Sequence, residues 1–198
     1  MLNFFNRTGK RRAGRSFCET AAALVSIPAL IALLIFTAQC DRPAESVVQD
    51  CNLSGFVVAE AGLTVQGLSA ADELALLPAE TIVDITGVSS GRFRVSRATS
   101  IEQDVLFESG PNSPGDGWVP VGMLVTSTEP RGAEEIVIYK DADTASAPVA
   151  QLAPYDAVNM LGCKANWAYI EGTTPEGDPA RGWLAPTSQC PNPVTNCS

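Results

Sequence analysis

The stretch KANWAYIEGTTPEGDPARGWLAP, Lys164 to Pro186, sets Trp167 and Tyr169 two positions apart and places Trp183 beyond a loop of glycine, proline, threonine and charge. The chemistry these residues offer is recognition. Aromatic rings supply large contact area at small entropic cost, stack on sugar or peptide groups and keep a polar handle. Together with Tyr155, the candidate ligand-binding residues are Trp167, Tyr169, Trp183 and Tyr155. Trp118 and Trp183 each follow a glycine, in GDGWVPV and RGWLAP, and read first as packing residues. In an extended strand Trp167 and Tyr169 share one face, with Ala168 and Ile170 on the other. Two readings of that pair stand: a binding surface, or cover for a neighbouring side chain.

Catalysis has little to work with. The chain contains no histidine, which removes Ser-His-Asp and Cys-His catalysis and histidine-liganded zinc. There is no glycine-rich phosphate loop and no dinucleotide fingerprint. A glycosidase-type carboxylate pair stays open in principle but needs a cleft that small β units seldom provide. Asp141 and Asp143 in YKDADTAS lack the glycine and later glutamate of a calcium loop. They read as solvated charge, as do Glu134, Glu135, Glu176 and Asp178. The expectation is a non-enzymatic chain with no catalytic residue, metal or cofactor.

Charge divides the 198 residues. Residues 1–39 hold five basic residues against Glu19 alone, a net +4, while the remaining 8 basic and 21 acidic residues give −13. An acidic body repels nucleic acid phosphates and anionic lipid, so nucleic acid is not an expected partner. The basic stretch RTGKRRAGR precedes Thr20–Ala38, 19 uncharged and mostly apolar residues. That is the layout of a secretory signal. At 1.5 Å per residue the run is also about 28 Å long, enough for an uncleaved membrane anchor. Both readings put the basic end inside and the acidic body outside. IFTAQC resembles the lipobox of bacterial lipoproteins, making Cys40 a lipidation candidate, although Gln39 and Thr37 depart from the pattern. Parity agrees: Cys40, Cys51, Cys163, Cys190 and Cys197 are an odd set, and acylating Cys40 leaves four for two disulfides. A Cys40–Cys51 bridge, or ordinary signal cleavage nearby, is the other reading.

The elements that must hold the aromatics repeat. LPAETIVDITG (Leu77–Gly87) and LAPYDAVNMLG (Leu152–Gly162) align without gaps at an offset of 75, and the same offset sets Phe93 against Ala168 and Val95 against Ile170. GWVP (Gly117–Pro120) answers GWLA (Gly182–Ala185) at an offset of 65, so the first copy has ten more residues in its loop. Upstream, GLTVQG matches EIVIYK. Internal repeats set the architecture before any motif does. Runs such as TIVDI, AVNML, WAYI and EIVIY, broken by Gly, Pro, Asp and Ser, are short strands. SAADELALL (Ser69–Leu77) has a partly helical look, but its counterpart DTASAPVAQL contains a proline, so both read as loops.

The order of alternating strand, polar loop, leucine, turn, strand, glycine, Trp-x-x-aliphatic, loop and Gly-Trp-aliphatic resembles bacterial SH3 (SH3b) domains. LAPYDAVNMLG, NWAYI and RGWLAP carry the resemblance best, and the first copy departs from it with Arg92 in the place of Trp167 and with its longer loop. The expected fold is all-β: two small SH3-like barrels in tandem after an N-terminal signal or anchor helix. The expected segments are 1–39 (signal or anchor), 40–53 (linker), 54–128 and 129–190 (barrels) and 191–198 (tail). Cys163–Cys190 within one unit and Cys51–Cys197 across the ends are the expected disulfides. The resemblance implies an exported binding module for peptidoglycan or its peptides, or an interaction protein for another envelope protein, held to the membrane by its N-terminal segment or lipid. Arg92 and Arg94 stand where the second copy has Trp167 and Tyr169, and arginines are costly in a core. That implies a solvent-exposed face in both copies.

Overall fold

The computed structural model describes residues 47–65, 73–111, 115–130 and 135–191. The expected signal or anchor segment, Cys40 and Cys197 lie outside these. The described residues are all β, in one antiparallel sheet. The first unit uses β1 (Gln49–Val57), β2 (Ala61–Thr64), β3 (Glu73–Leu77), β4 (Ile82–Ser89), β5 (Arg92–Thr99), β6 (Val105–Glu108), β7 (Gly117–Pro120) and β8 (Leu124–Thr128). The second continues with β9 (Ile136–Tyr139), β10 (Pro148–Leu152), β11 (Ala157–Lys164), β12 (Trp167–Thr173), β13 (Pro179–Leu184), a 3-10 turn (Pro186–Ser188) and β14 (Gln189–Cys190).

The strands form one path, β10-β9-β13-β12-β11-β8-β1-β4-β5-β7-β2-β3, with β14 on β8 and β6 on β5. The expected pair of separate closed barrels is therefore replaced by one open sheet. The expected boundary at 128/129 also meets a shared element. β8 pairs β1 through Leu124 and Val125, so it closes the first unit. It also pairs β11 and β14, as the first strand of the second unit. Cutting after Thr128 would take the opening strand from the second unit. β1 likewise begins inside the span expected to be linker.

Internal symmetry extends to single hydrogen bonds. Gly87 faces Arg94 and Gly162 faces Tyr169, each just past a bulge, at the offset of 75 read from the sequence. Glu80 and Tyr155 both take positive φ, 68° and 64°, and Ser90 and Ala165 both take 50°. Glu80 N donates to Val57 O and Tyr155 N to Thr128 O. AGLT of β2 falls on IVIY of β9, since Ala61 faces Leu77 as Ile136 faces Leu152. Residues 73–77 and 148–152 are strands rather than the expected loops. Pairing to β2 and β9 overrides their mixed local pattern, and Pro148 is tolerated as the first residue of an edge strand.

Alternation builds the core. Leu63, Val83, Ile85, Phe93, Val95 and Val119 are buried in the first unit, and Ile138, Val158, Met160, Ala168, Ile170 and Leu184 at the matching places in the second. Each large side chain so buried contributes about 1.5–3 kcal/mol. The units meet at Gly55, where an added Cβ would lie 2.9 Å from Met160 Sδ and 3.2 Å from Ile85 Cδ1. Between the units β8 is buried along its whole length, threonines included. Thr126 Oγ1 donates to Cys190 O at 3.0 Å and Thr128 Oγ1 to Ala153 O at 2.7 Å, which offsets their desolvation.

Candidate aromatic binding face

Trp167 and Tyr169 point away from the core because Ala168 and Ile170, at the alternate positions of β12, are fully buried. Tyr169 lies directly across from Trp183 on β13, and Trp183 across from Tyr139 on β9. The Tyr169 and Trp183 ring centroids are 5.2 Å apart and tilted by 49°. Trp167 meets Tyr139 edge-on at 5.9 Å and 84°. The result is a ladder of four half-buried rings across three neighbouring strands. Gly182 makes the spacing attainable: a Cβ there would sit 3.0 Å from Tyr139 O and 3.2 Å from Ile138 Cβ. Gly117, its counterpart before Trp118, backs in the same way onto Leu63. Both glycines allow a close approach to the neighbouring strand, to the Leu63 side chain at Gly117 and to the Tyr139 backbone at Gly182.

The first unit holds the same four positions with Arg92, Arg94, Trp118 and Thr64. Arg92 Nη2 donates to Thr64 Oγ1 at 2.6 Å and to Trp118 O at 3.0 Å. Arg94 donates to Thr86 Oγ1 and to Thr86 O, and its Nη2 pairs with Asp50 Oδ1 at 2.9 Å. Asp116 lies 3.9 Å from Arg94 Nε. The expectation of an open face in both copies is thus corrected. The arginines are half-buried, tied by hydrogen bonds, and Trp118 across the ladder from Arg94 is only 3% exposed. One unit covers its tryptophan position with hydrogen-bonded guanidinium groups; the other leaves its rings half-exposed.

Of the residues singled out in the sequence, Trp167, Tyr169 and Trp183 come together, and Tyr155 does not. It is 69% exposed in the turn before β11. The ladder's Trp167 follows the opposite end of that eight-residue strand, roughly 26 Å away at ~3.3 Å per residue. Tyr139 is the ladder residue the sequence reading missed. Its signal was its place in the alternating IVIY, but only the pairing of β9 with β13 puts it beside Trp183. Tyr139 also borders a groove of about 650 Å³ between the β9–β10 connection and the β12–β13 turn, with Val137, Val149, Ser146, Gln151 and Glu176 on its walls. Asp141 and Asp143 are exposed, with Asp143 Oδ1 accepting from Ala145 N as a turn residue. Among the described residues no cluster of side chains could hold a metal ion.

The disulfide pairing is a further correction. Cys51 bonds to Cys163, with Cα atoms 5.8 Å apart, in place of the expected Cys163–Cys190 and Cys51–Cys197. β1 runs beside the turn between β11 and β12: Asn52 N donates to Ala165 O at 2.8 Å and Ala165 N to Asp50 O at 3.1 Å. That juxtaposition of units decides the partner. Cys190 is also disulfide-bonded. The Cys51–Cys163 bond therefore ties the first strand to the turn that leads into Trp167.

No protein-family model matches the chain, and no curated protein does. Among solved structures, NlpC2 from Trichomonas vaginalis aligns with 71% of this chain and 48% of its own length, at 12% identity and a TM-score of 0.29. A likeness of that degree transfers neither fold nor activity.

Proposed function

We propose that the chain is a non-enzymatic binding protein of the cell envelope, built from two SH3b-like units, whose second unit recognises peptidoglycan or its peptides. The observation that carries this reading is the ladder of Tyr169, Trp183, Tyr139 and Trp167, left accessible at positions where the first unit is closed by arginines. Mutually packed, half-exposed rings beside a groove with hydroxyl, amide and carboxylate groups suit a ligand that offers sugar faces or peptide bonds. Disulfides support an exported location on the outer side of the cytoplasmic membrane, since such bonds persist in oxidising compartments. The basic flank and apolar run of residues 1–39 support the same placement, with Cys40 as lipid anchor.

Sedimentation with purified sacculi tests the function. The full chain should co-sediment at low and moderate salt, and Trp167→Ser/Tyr169→Ser should stay in the supernatant. Equal co-sedimentation of the two would refute the ladder as the site. No wall binding by either would favour the second reading, in which the same face docks another envelope protein. Labelling with a palmitate analogue, compared with Cys40→Ser, decides the anchor.

A further inference from the structure

Apart from Phe107, the ten-residue extension of the first unit adds surface rather than core. In the second unit β12 and β13 join through a tight turn, closed by Thr174 N donating to Asp178 O at 2.9 Å. The fold is complete there without any extension. In the first unit the corresponding connection carries β6, which pairs only with β5. Of its large apolar side chains, Phe107 alone is buried; Ile101, Val105 and Leu106 are 38%, 49% and 37% exposed. Ile101 and Leu106 line a cleft of about 220 Å³ whose other wall is the turn Pro78–Thr81. Exposing aliphatic side chains works against solubility unless a partner covers them.

Charge identifies the partner. Glu80, Glu102, Asp104 and Glu108 are exposed around these side chains, and none forms an ion pair with a described residue. Arg97, across the ladder from Glu108, is the sole basic residue between Val95 and Glu108, since Arg92 and Arg94 at the far end of β5 are engaged on the other ladder. A second copy of this chain would set one acidic rim against another, and an anionic membrane would be repelled in the same way. We propose that the β5–β6 hairpin and the Pro78–Thr81 turn form a docking surface for a protein segment that alternates basic and aliphatic side chains. The aliphatic groups fill the cleft beside Leu106 and Ile101, and the basic groups meet Glu102, Asp104 and Glu80.

Fluorescence anisotropy of a labelled peptide alternating lysine and leucine, titrated with the full chain, tests this. Saturable binding is expected, weakened at least about tenfold by Val105→Ser/Leu106→Ser. Both side chains are exposed, so the melting temperature should hold. Glu102→Gln/Asp104→Asn keeps the shape of the surface and should also weaken binding and flatten its salt dependence. Trp167→Ser/Tyr169→Ser should bind the peptide as the wild type does, which separates this surface from the aromatic ladder. Unchanged affinity in either hairpin variant would overturn the proposal. So would equal binding of a lysine–serine or a glutamate–leucine peptide. Self-association of the chain that is lost in Val105→Ser/Leu106→Ser, or binding to anionic vesicles, would assign the surface to another occupant and overturn it too.

Discussion

Tyr169 stands directly across from Trp183 in the β12–β13 ladder, and Arg94 stands directly across from Trp118 in the β5–β7 ladder. One backbone arrangement is thus fitted once with two rings in contact and once with a tethered cation facing a buried tryptophan. The difference lies wholly in the side chains, and it separates an accessible surface from a closed one.

The rings should matter more for binding than for folding. Trp167→Ser/Tyr169→Ser removes two half-buried side chains and is expected to cost about 1 kcal/mol for each. Ile170→Ala, one position along the same strand, empties a fully buried site and should cost about 2–5 kcal/mol. Urea midpoints of the two variants check the order. A larger loss from the double variant would identify the rings as packing residues.

Arg94→Ala should open the closed face. Thr86 O and Asp50 lose their donor, and Trp118 gains access to water. The stability loss should be about 1 kcal/mol or less, since Asp50 is exposed and the pair is screened. In a background with Trp167 and Trp183 replaced by phenylalanine, Trp118 emission should shift to the red. An unshifted spectrum would mean that Arg94 does not cover the indole.

Non-reducing peptide mapping should recover a Cys51–Cys163 linked pair. The bond closes a sequence separation of 112 residues, for which the chain-entropy model gives about 5 kcal/mol. Cys51→Ser/Cys163→Ser should lower the thermal midpoint accordingly, and recovery of free Cys51 would remove the premise.

Because β8 serves both units, the two should unfold together. Denaturant curves followed through Trp118 alone and through Trp183 alone, each in a background lacking the other tryptophans, are expected to coincide. Separated midpoints would show two independent folding units and contradict the shared strand.

Gly182→Ala should disturb the ladder from behind. Its Cβ would press on Tyr139 O at 3.0 Å, forcing β9 and β13 apart at a cost of about 1–3 kcal/mol. Weakened near-ultraviolet circular dichroism from the stacked rings is the signature to look for. An unchanged spectrum and midpoint would mean that the strands adjust freely.

The sequence alone carried the all-β class, the repeat, its offsets and the face on which each β12 residue lies. These are local properties: a period of two assigns side chains to faces, and an internal match of LPAETIVDITG with LAPYDAVNMLG needs no knowledge of neighbours. What the strands lie beside is not local. LVTST reads as an ordinary half-polar strand, and only its place between two units buries Thr126 and Thr128 and makes β8 common to both. Cys51 met Cys163 rather than Cys197 because β1 runs past the β11–β12 turn, a juxtaposition 112 residues long in the chain. Tyr139 joined the rings, Tyr155 did not, and Trp118 was buried across from Arg94 for the same reason. Alternation says which way a side chain points; the order of strands in the sheet decides what it meets there.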